Sequence, residues 1–319
     1  MSKPGIIKKI SDELSLEPTN VANTIELLEQ GNTVPFIARY RKEVTGSLDE
    51  VIIRTIEDRL AYLCNLEERK NVVIKSIQEQ GKLSDELREK IINVSTLQEV
   101  EDLYLPYRPK RQTRATKARE KGLEPFAMMM LEYQDMDGDI QEIAATYVDP
   151  EKELFTPCDV IEGARDIIAE VIMEDAKIRA TTRRYFQEQS FIQVIKADSK
   201  DEGRSEYEEY YEYEEQVRKM PPHRILAINR GESKGVLKVK LSKLDDIVIS
   251  AISEEFINVK DGIFYEQISL AIEDGYSRLL YPAMERETRN VITEEAEDHA
   301  IKVFSRNLRN LLMQPPVDG

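Results

Sequence analysis

The stretch SLDEVIIRTIEDRLAYLCNLEERKNVVIKSIQEQG, Ser47 to Gly81, decides the fold class. Ser47-Leu-Asp-Glu50 has the spacing of a capping box, in which a hydroxyl and a carboxylate three residues on satisfy each other's orphan backbone N–H groups. Apolar residues then recur at helical spacing, at Ile52, Ile56, Leu60, Leu63, Leu66, Val73 and Ile77, and Gly81 supplies a stop. At 1.5 Å per residue this predicts a strut about 50 Å long.

On its N-terminal side the sequence predicts three short helices. Ile6, Ile7, Ile10 and Leu14 mark the first. Pro18, Val21, Ile25 and Leu28 mark the second, closed by Gly31, and Pro35 to Lys42 make the third. Such a cluster is compatible with a helix-turn-helix, though packed trios also occur in proteins that never meet DNA. If it reads nucleic acid, Arg39, Arg41 and Lys42 face outward together. The competing expectation is that Phe36, Ile37 and Tyr40 dock the helix on the strut and leave the cations solvated.

On its C-terminal side TLQEVEDLYLPY predicts a short helix ended by Pro106 and Pro109, followed by RPKRQTRATKAREK with seven basic residues and one acid. Arg108, Lys110, Arg111, Arg114, Lys117, Arg119 and Lys121 suit phosphate neutralisation without sequence reading. Tyr104 and Tyr107 suit stacking on an unpaired base. Internal pairing of these cations with acidic helices of the same protein, such as the face holding Glu99, Glu101 and Asp102, is an equal competitor. A second capped helix is predicted from Thr156 through Ile161, Ile168, Ile178 and Tyr185. Beyond it the texture changes. Phe191–Ile195 and Leu237–Leu241 read as short strands, with Lys238 and Lys240 on a wet face. The acidic, tyrosine-rich residues 198–215 read as an exposed loop and a short helix, suited either to docking a basic partner or to solvation. Gly231 is expected to end a helix begun near Pro222, and a last helix is expected from about Thr293 to Met313.

The chain has 319 residues, 33% of them charged, and a formal net charge of -16. Acidity of this size opposes polyanion binding by the whole surface, so any such contact must come from a local patch. No apolar run reaches the ~18 residues of a membrane span. The isolated Cys64 and Cys158 fit a reducing compartment, and a cytoplasmic location is expected. No phosphate-loop, nucleophile-elbow or H-E-x-x-H pattern occurs, and His223 and His299 stand alone. Neither an enzyme, a metal site nor a cofactor is expected. The expected fold is mainly α, an elongated helical array with a helix-turn-helix-like element at 5–45 and a small β element near 191–241. The expected division is 1–190 and 191–319.

Several strings in order resemble one family: TVPFIARYRKEVTGSLDE (Thr33–Glu50), TLQEVEDLYLPYRPKRQTRATKAREKGLEP (Thr96–Pro125), ARDIIAEVIMEDA (Ala164–Ala176) and PPHRILAINRGESKGVLKVKL (Pro221–Leu241). They resemble the N-terminal and central helical regions of the bacterial Tex family of transcription accessory proteins. The resemblance implies association with RNA or DNA, or docking onto the transcription machinery. It also implies that RNase-H-like, helix-hairpin-helix and OB-fold domains would follow in a full-length member, with this chain as a fragment.

Overall fold

Asp49, rather than Ser47, starts the long helix: its carboxylate accepts the Ile52 N–H, and Ser47 lies in the left-handed region at φ 64°. The capping-box expectation at Ser47 is thereby corrected. A β-region residue one step before the helix is what an N-cap requires, and Asp49 has that conformation while Ser47 does not. The computed structural model describes residues 3–197 and 206–314. They fall into two compact units, Met1–Tyr107 and Arg108–Gly319.

The first unit holds α1 (Lys3–Leu14), α2 (Pro18–Glu29), α3 (Val34–Tyr40), α4 (Lys42–Thr45), α5 (Glu50–Glu79), α6 (Asp85–Asn93) and α7 (Leu97–Tyr104). The strut α5 buries Ile53, Ile56, Leu63, Leu66, Val73 and Ile77, spaced three, four or seven apart on one face. Ile10, Val21, Ile25, Ile37, Ile91 and Val100 from the shorter helices close over this stripe. Each such side chain withdrawn from water contributes roughly 1.5–3 kcal/mol. One place on the stripe belongs to Lys70. Its ammonium donates to the Ile92 carbonyl at 2.8 Å and to Glu67 at 3.1 Å. Burial pushes the Lys70 pKa down, against the pull of Glu99.

The second unit holds α8 (Arg114–Glu120), α9 (Glu124–Glu132), α10 (Ile140–Ala145), α11 (Pro157–Met173), α12 (Ala176–Gln189), β1 (Phe191–Lys196), β2 (Glu212–Gln216), α13 (Pro222–Ser233), β3 (Leu237–Leu241), α14 (Asp245–Phe256), α15 (Tyr265–Gly275) and α16 (Tyr281–Leu312). At the centre lies α11, which buries Val160, Ile161, Ala164, Ile167, Ile168 and Ile172. Its capping box at Thr156 and Asp159 is as expected. The expected continuation to Tyr185 is corrected: α11 stops at Met173, and Asp175 caps α12 anew by accepting from Lys177 and Ile178. The sheet is antiparallel in the order β2-β1-β3, with Val194 opposite both Tyr213 and Val239. Leu237, Val239 and Leu241 face the core and alternate with outward Lys238 and Lys240.

Three local expectations change. Of the tyrosine-rich tract, 198–205 lie outside the described residues. Within the rest, Tyr207 and Tyr210 are buried and Glu212–Gln216 form the edge strand β2. Alternation there places the Tyr213 ring against the core while Glu212 and Glu214 stay wet. Gly231 sits inside α13, and the helix is closed instead by Gly235 at φ 72°. The last helix begins at Tyr281, twelve residues earlier than expected, through a π-helical turn at Tyr276–Leu280. The first unit ends at Tyr107 and the second begins at Arg108. Phe186 of α12 and Ile192 of β1 belong to one apolar core, so residues on either side of 190 bury each other.

Candidate nucleic-acid interface

The basic segment is sorted by one buried carboxylate. Glu170 of α11 has a side chain only 6% exposed. It accepts from Lys110 Nζ at 3.0 Å, Arg119 at 2.5 Å and the Thr113 hydroxyl at 3.1 Å. Thr113 is also the N-cap of α8, accepting the Thr116 N–H. The segment is therefore fastened to α11 at its start, its cap and its end. Burial pushes the Glu170 carboxyl up, but the hydrogen bonds from Arg119 and Lys110 outweigh it and hold the group below the ordinary carboxylate value. Glu174, one turn on, also accepts from Lys110, at 2.6 Å. There burial prevails over Lys110, and repulsion from Glu170 adds to it, so Glu174 is raised.

Lys110, Arg119 and Lys121 are accordingly paired within the unit, Lys121 with Glu153 at 3.3 Å. Internal pairing thus occurs, but with other acids than Glu99, Glu101 and Asp102. Glu99 receives the backbone N–H groups of Ser95 and Thr96, Glu101 pairs with Arg69 at 2.5 Å, and Asp102 is buried. Among the described residues, no ion pair reaches Arg108, Arg111, Arg114 or Lys117. All four are exposed. Arg114 and Lys117 stand one turn apart on α8 and line an open cleft of about 810 Å³. Glu151, Glu162 and Asp166 lie in the same wall, so the cleft is electrostatically mixed. Arg108 and Arg111 lie outside its lining.

In the first unit, Arg39, Arg41 and Lys42 are all exposed. Val34 and Ile37, not Phe36 and Tyr40, dock α3 on the core. Phe36 is 37% and Tyr40 61% exposed, with ring centroids 5.3 Å apart and the Arg41 guanidinium 5.3 Å from the Phe36 centroid. The expectation for these two rings is corrected. They lie four apart on one face, while Val34 and Ile37 lie three apart on another, and the i, i+4 aromatic spacing was the signal available for it. Tyr104 and Tyr107 are half-buried. The Tyr104 hydroxyl is 3.0 Å from that of Ser76 and its ring lies under Arg69, while Tyr107 packs against the core.

Among the described residues, no group of three or more His, Cys, Asp or Glu is placed to hold a metal. His223 and His299 meet in a groove of about 470 Å³ whose other walls are Pro222, Leu226, Ala300, Val303, Phe304 and Asn307. That lining offers neither a carboxylate nor a nucleophile for general-base work. No helix among the described residues is long and apolar enough to cross a membrane.

Comparison with known proteins agrees with this architecture. A model of the Tex-like protein N-terminal domain matches residues 4–78, and one described as Tex central region-like matches residues 135–304. An uncharacterized protein of Bacillus subtilis, YdcI, is 46% identical over 100% of this chain and 44% of its own length. The transcriptional accessory protein Tex of Neisseria gonorrhoeae is 39% identical over 98% of this chain and 41% of its own. The human S1 RNA-binding domain-containing protein 1 is 31% identical over 98% of this chain and 32% of its own. The chain thus spans less than half the length of these relatives.

Proposed function

Because the chain belongs to the Tex family of transcription accessory proteins, we propose that it is a non-catalytic helical part of such a protein and touches RNA or DNA through local basic patches. The observation that carries this reading is the division of the basic segment. Lys110, Arg119 and Lys121 are spent on internal carboxylates, and that leaves Arg108, Arg111, Arg114 and Lys117 exposed and without an ion pair among the described residues. Four exposed cations in ten residues, none in an ion pair among the described residues, attract phosphates even on a chain of net charge -16, because salt screens the distant acids over about 10 Å, although Arg114 shares its field with Asp166 and Asp274. Arg39, Arg41 and Lys42 make a second patch of the same kind. The name of the S1-domain relative speaks of RNA binding, which agrees with this partner class.

The test is fluorescence anisotropy with a fluorescein-labelled sixteen-nucleotide single strand at 50 mM salt. Replacing Arg108, Arg111, Arg114 and Lys117 by Ala should weaken binding by on the order of 10- to 100-fold. A control replacing Lys8, Lys75, Lys82 and Arg88, cations that belong to neither patch, should change it less than about threefold. Equal losses in both variants would refute a local site.

A second reading, a scaffold for protein partners, is favoured by one observation. The C-terminal half of α16 carries Ile301, Phe304, Leu308, Leu311 and Leu312 exposed, where Ala296 just before them is buried. An apolar stripe of that kind fits a helix-in-groove or helix-on-helix contact. It becomes the preferred reading if the four-cation variant binds the oligonucleotide as the unaltered chain does.

A further inference from the structure

We infer that Phe36 and Tyr40 form a stacking platform for unpaired bases of a single-stranded nucleic acid, whose phosphates are met by Arg39, Arg41 and Lys42. The inference rests on the nucleic-acid reading above and adds to it a strand preference and two residues outside the basic segment.

Phe36 is the only phenylalanine among the first 107 residues, and it is left partly in water while Val34 and Ile37 seat α3 on the core. Tyr40, one turn on, is the more exposed of the pair, and the two rings lie 5.3 Å apart, tilted at 45°. Other tyrosines of the unit are occupied: Tyr62 accepts the Leu97 N–H and lies under Arg59, and Tyr104 is engaged by Ser76 and Arg69. Among the described residues no cation lies over the Tyr40 ring, whose ring contact is with Phe36. Arg41 holds its guanidinium near the Phe36 ring and donates to the Tyr40 carbonyl at 3.2 Å. The cation is thereby held beside the aromatic pair, and among the described residues no carboxylate pairs with it.

Charge selects the occupant. From Phe36 to Gly46 there are three cations and one acid, Glu43, in a chain where acids outnumber cations by 61 to 45. Elsewhere in the unit Lys3, Arg54, Arg59, Arg69 and Lys90 are paired with glutamates. An exposed aromatic pair bordered by cations that have no ion pair among the described residues suits a ligand that alternates π-faces with negative charge. A duplex presents its phosphates but keeps its base faces stacked internally, so this platform distinguishes single strands.

The test uses the 319-residue chain and three fluorescein-labelled probes: a twelve-nucleotide thymidine strand, the same backbone with abasic sites throughout, and a twelve-base-pair duplex. Tyr40→Ala should weaken binding of the thymidine strand by about 5- to 100-fold. Its affinity for the abasic strand and the duplex, and its salt slope, should not change, since no cation is lost. Phe36→Ala should act in the same direction. Both rings are largely outside the core, so circular dichroism should match the unaltered chain. The protein contains no tryptophan, so Tyr40→Trp installs a lone indole that retains a stacking face. Its fluorescence should be quenched by the thymidine strand and not by the abasic one. Retention of full affinity by Tyr40→Ala and Phe36→Ala, or an unquenched indole, overturns the platform. Equal binding of thymidine and abasic strands by the unaltered chain overturns it while leaving the electrostatic reading intact. Failure of all three probes to bind overturns both.

Discussion

Glu170→Gln keeps the size of the side chain but removes the charge that fastens the basic segment to α11. In its absence Lys110 retains only Glu174, and Arg119 retains only the more exposed Glu124. Breaking a buried ion pair from one side costs about 3–5 kcal/mol. Lys110 and Arg119 are 22% and 28% exposed, so water recovers part of the loss. The lower end, about 3 kcal/mol, is the working figure. For a unit of this size that is a fall of roughly 6–12 °C in Tm. Glu174→Gln is the control. Burial has raised that carboxyl, so its charged form already carries a cost, and its loss should change stability by less than about 1 kcal/mol. The pH dependence follows from the direction at Glu170. Its folded pKa lies below the unfolded value, so its contribution is complete above about pH 4.3 and disappears as pH falls through the folded pKa. Urea unfolding followed by circular dichroism at pH 7, 5 and 3 should show the gap between the two proteins intact at pH 7 and narrowing below pH 5. A Tm loss under about 3 °C, or a larger loss for Glu174→Gln, would refute the reasoning.

Four other substitutions probe the frame that presents the patches. Asp49→Ala should cost about 1 kcal/mol by removing the N-cap of α5, while Ser47→Gly should be neutral or stabilising by up to about 1 kcal/mol, as it relieves a left-handed backbone. Chemical denaturation separates the two. Leu66→Ala, fully buried on the strut, should cost about 2–5 kcal/mol in the same assay. Gly46→Ala should lower stability by at least about 1 kcal/mol, since φ is 68° and the new Cβ would lie 2.2 Å from the Asn20 amide nitrogen. Double substitution with Asn20→Ala should recover the steric share of that loss and leave the backbone share.

Periodicity made α5 legible, because a stripe of leucine and isoleucine three and four apart has one economical solution. The alternation of Leu237, Val239 and Leu241 marked β3 for the same reason. What could not be read was set by partners distant in the chain. Glu170 lies 60 residues from Lys110 and 51 from Arg119, and nothing local distinguishes it from the other acids of α11. The edge strand β2 was hidden by its glutamates: a strand with one wet face tolerates them, and only pairing with β1 made it a strand. The break at Glu174 was obscured because Val171 and Ile178, seven residues apart, keep helical spacing across it, although Asp175 carries the cap signal. At α3 the short helix had apolar residues on two faces, and sequence could not say which one the strut would take. The candidate site was legible as a basic tract, but not in its division between cations tied down and cations left over.

That division is tested most directly by salt titration of oligonucleotide binding. The slope of log Kobs against log salt counts phosphate contacts, at about 0.7 per contact for a single strand. If Arg108, Arg111, Arg114 and Lys117 are the cations that meet phosphate, replacing all four by Ala should reduce the slope by about 3 units. Lys121→Ala, which removes a cation already held by Glu153, should leave the slope unchanged. An identical slope in the unaltered chain and the four-cation variant would contradict the account.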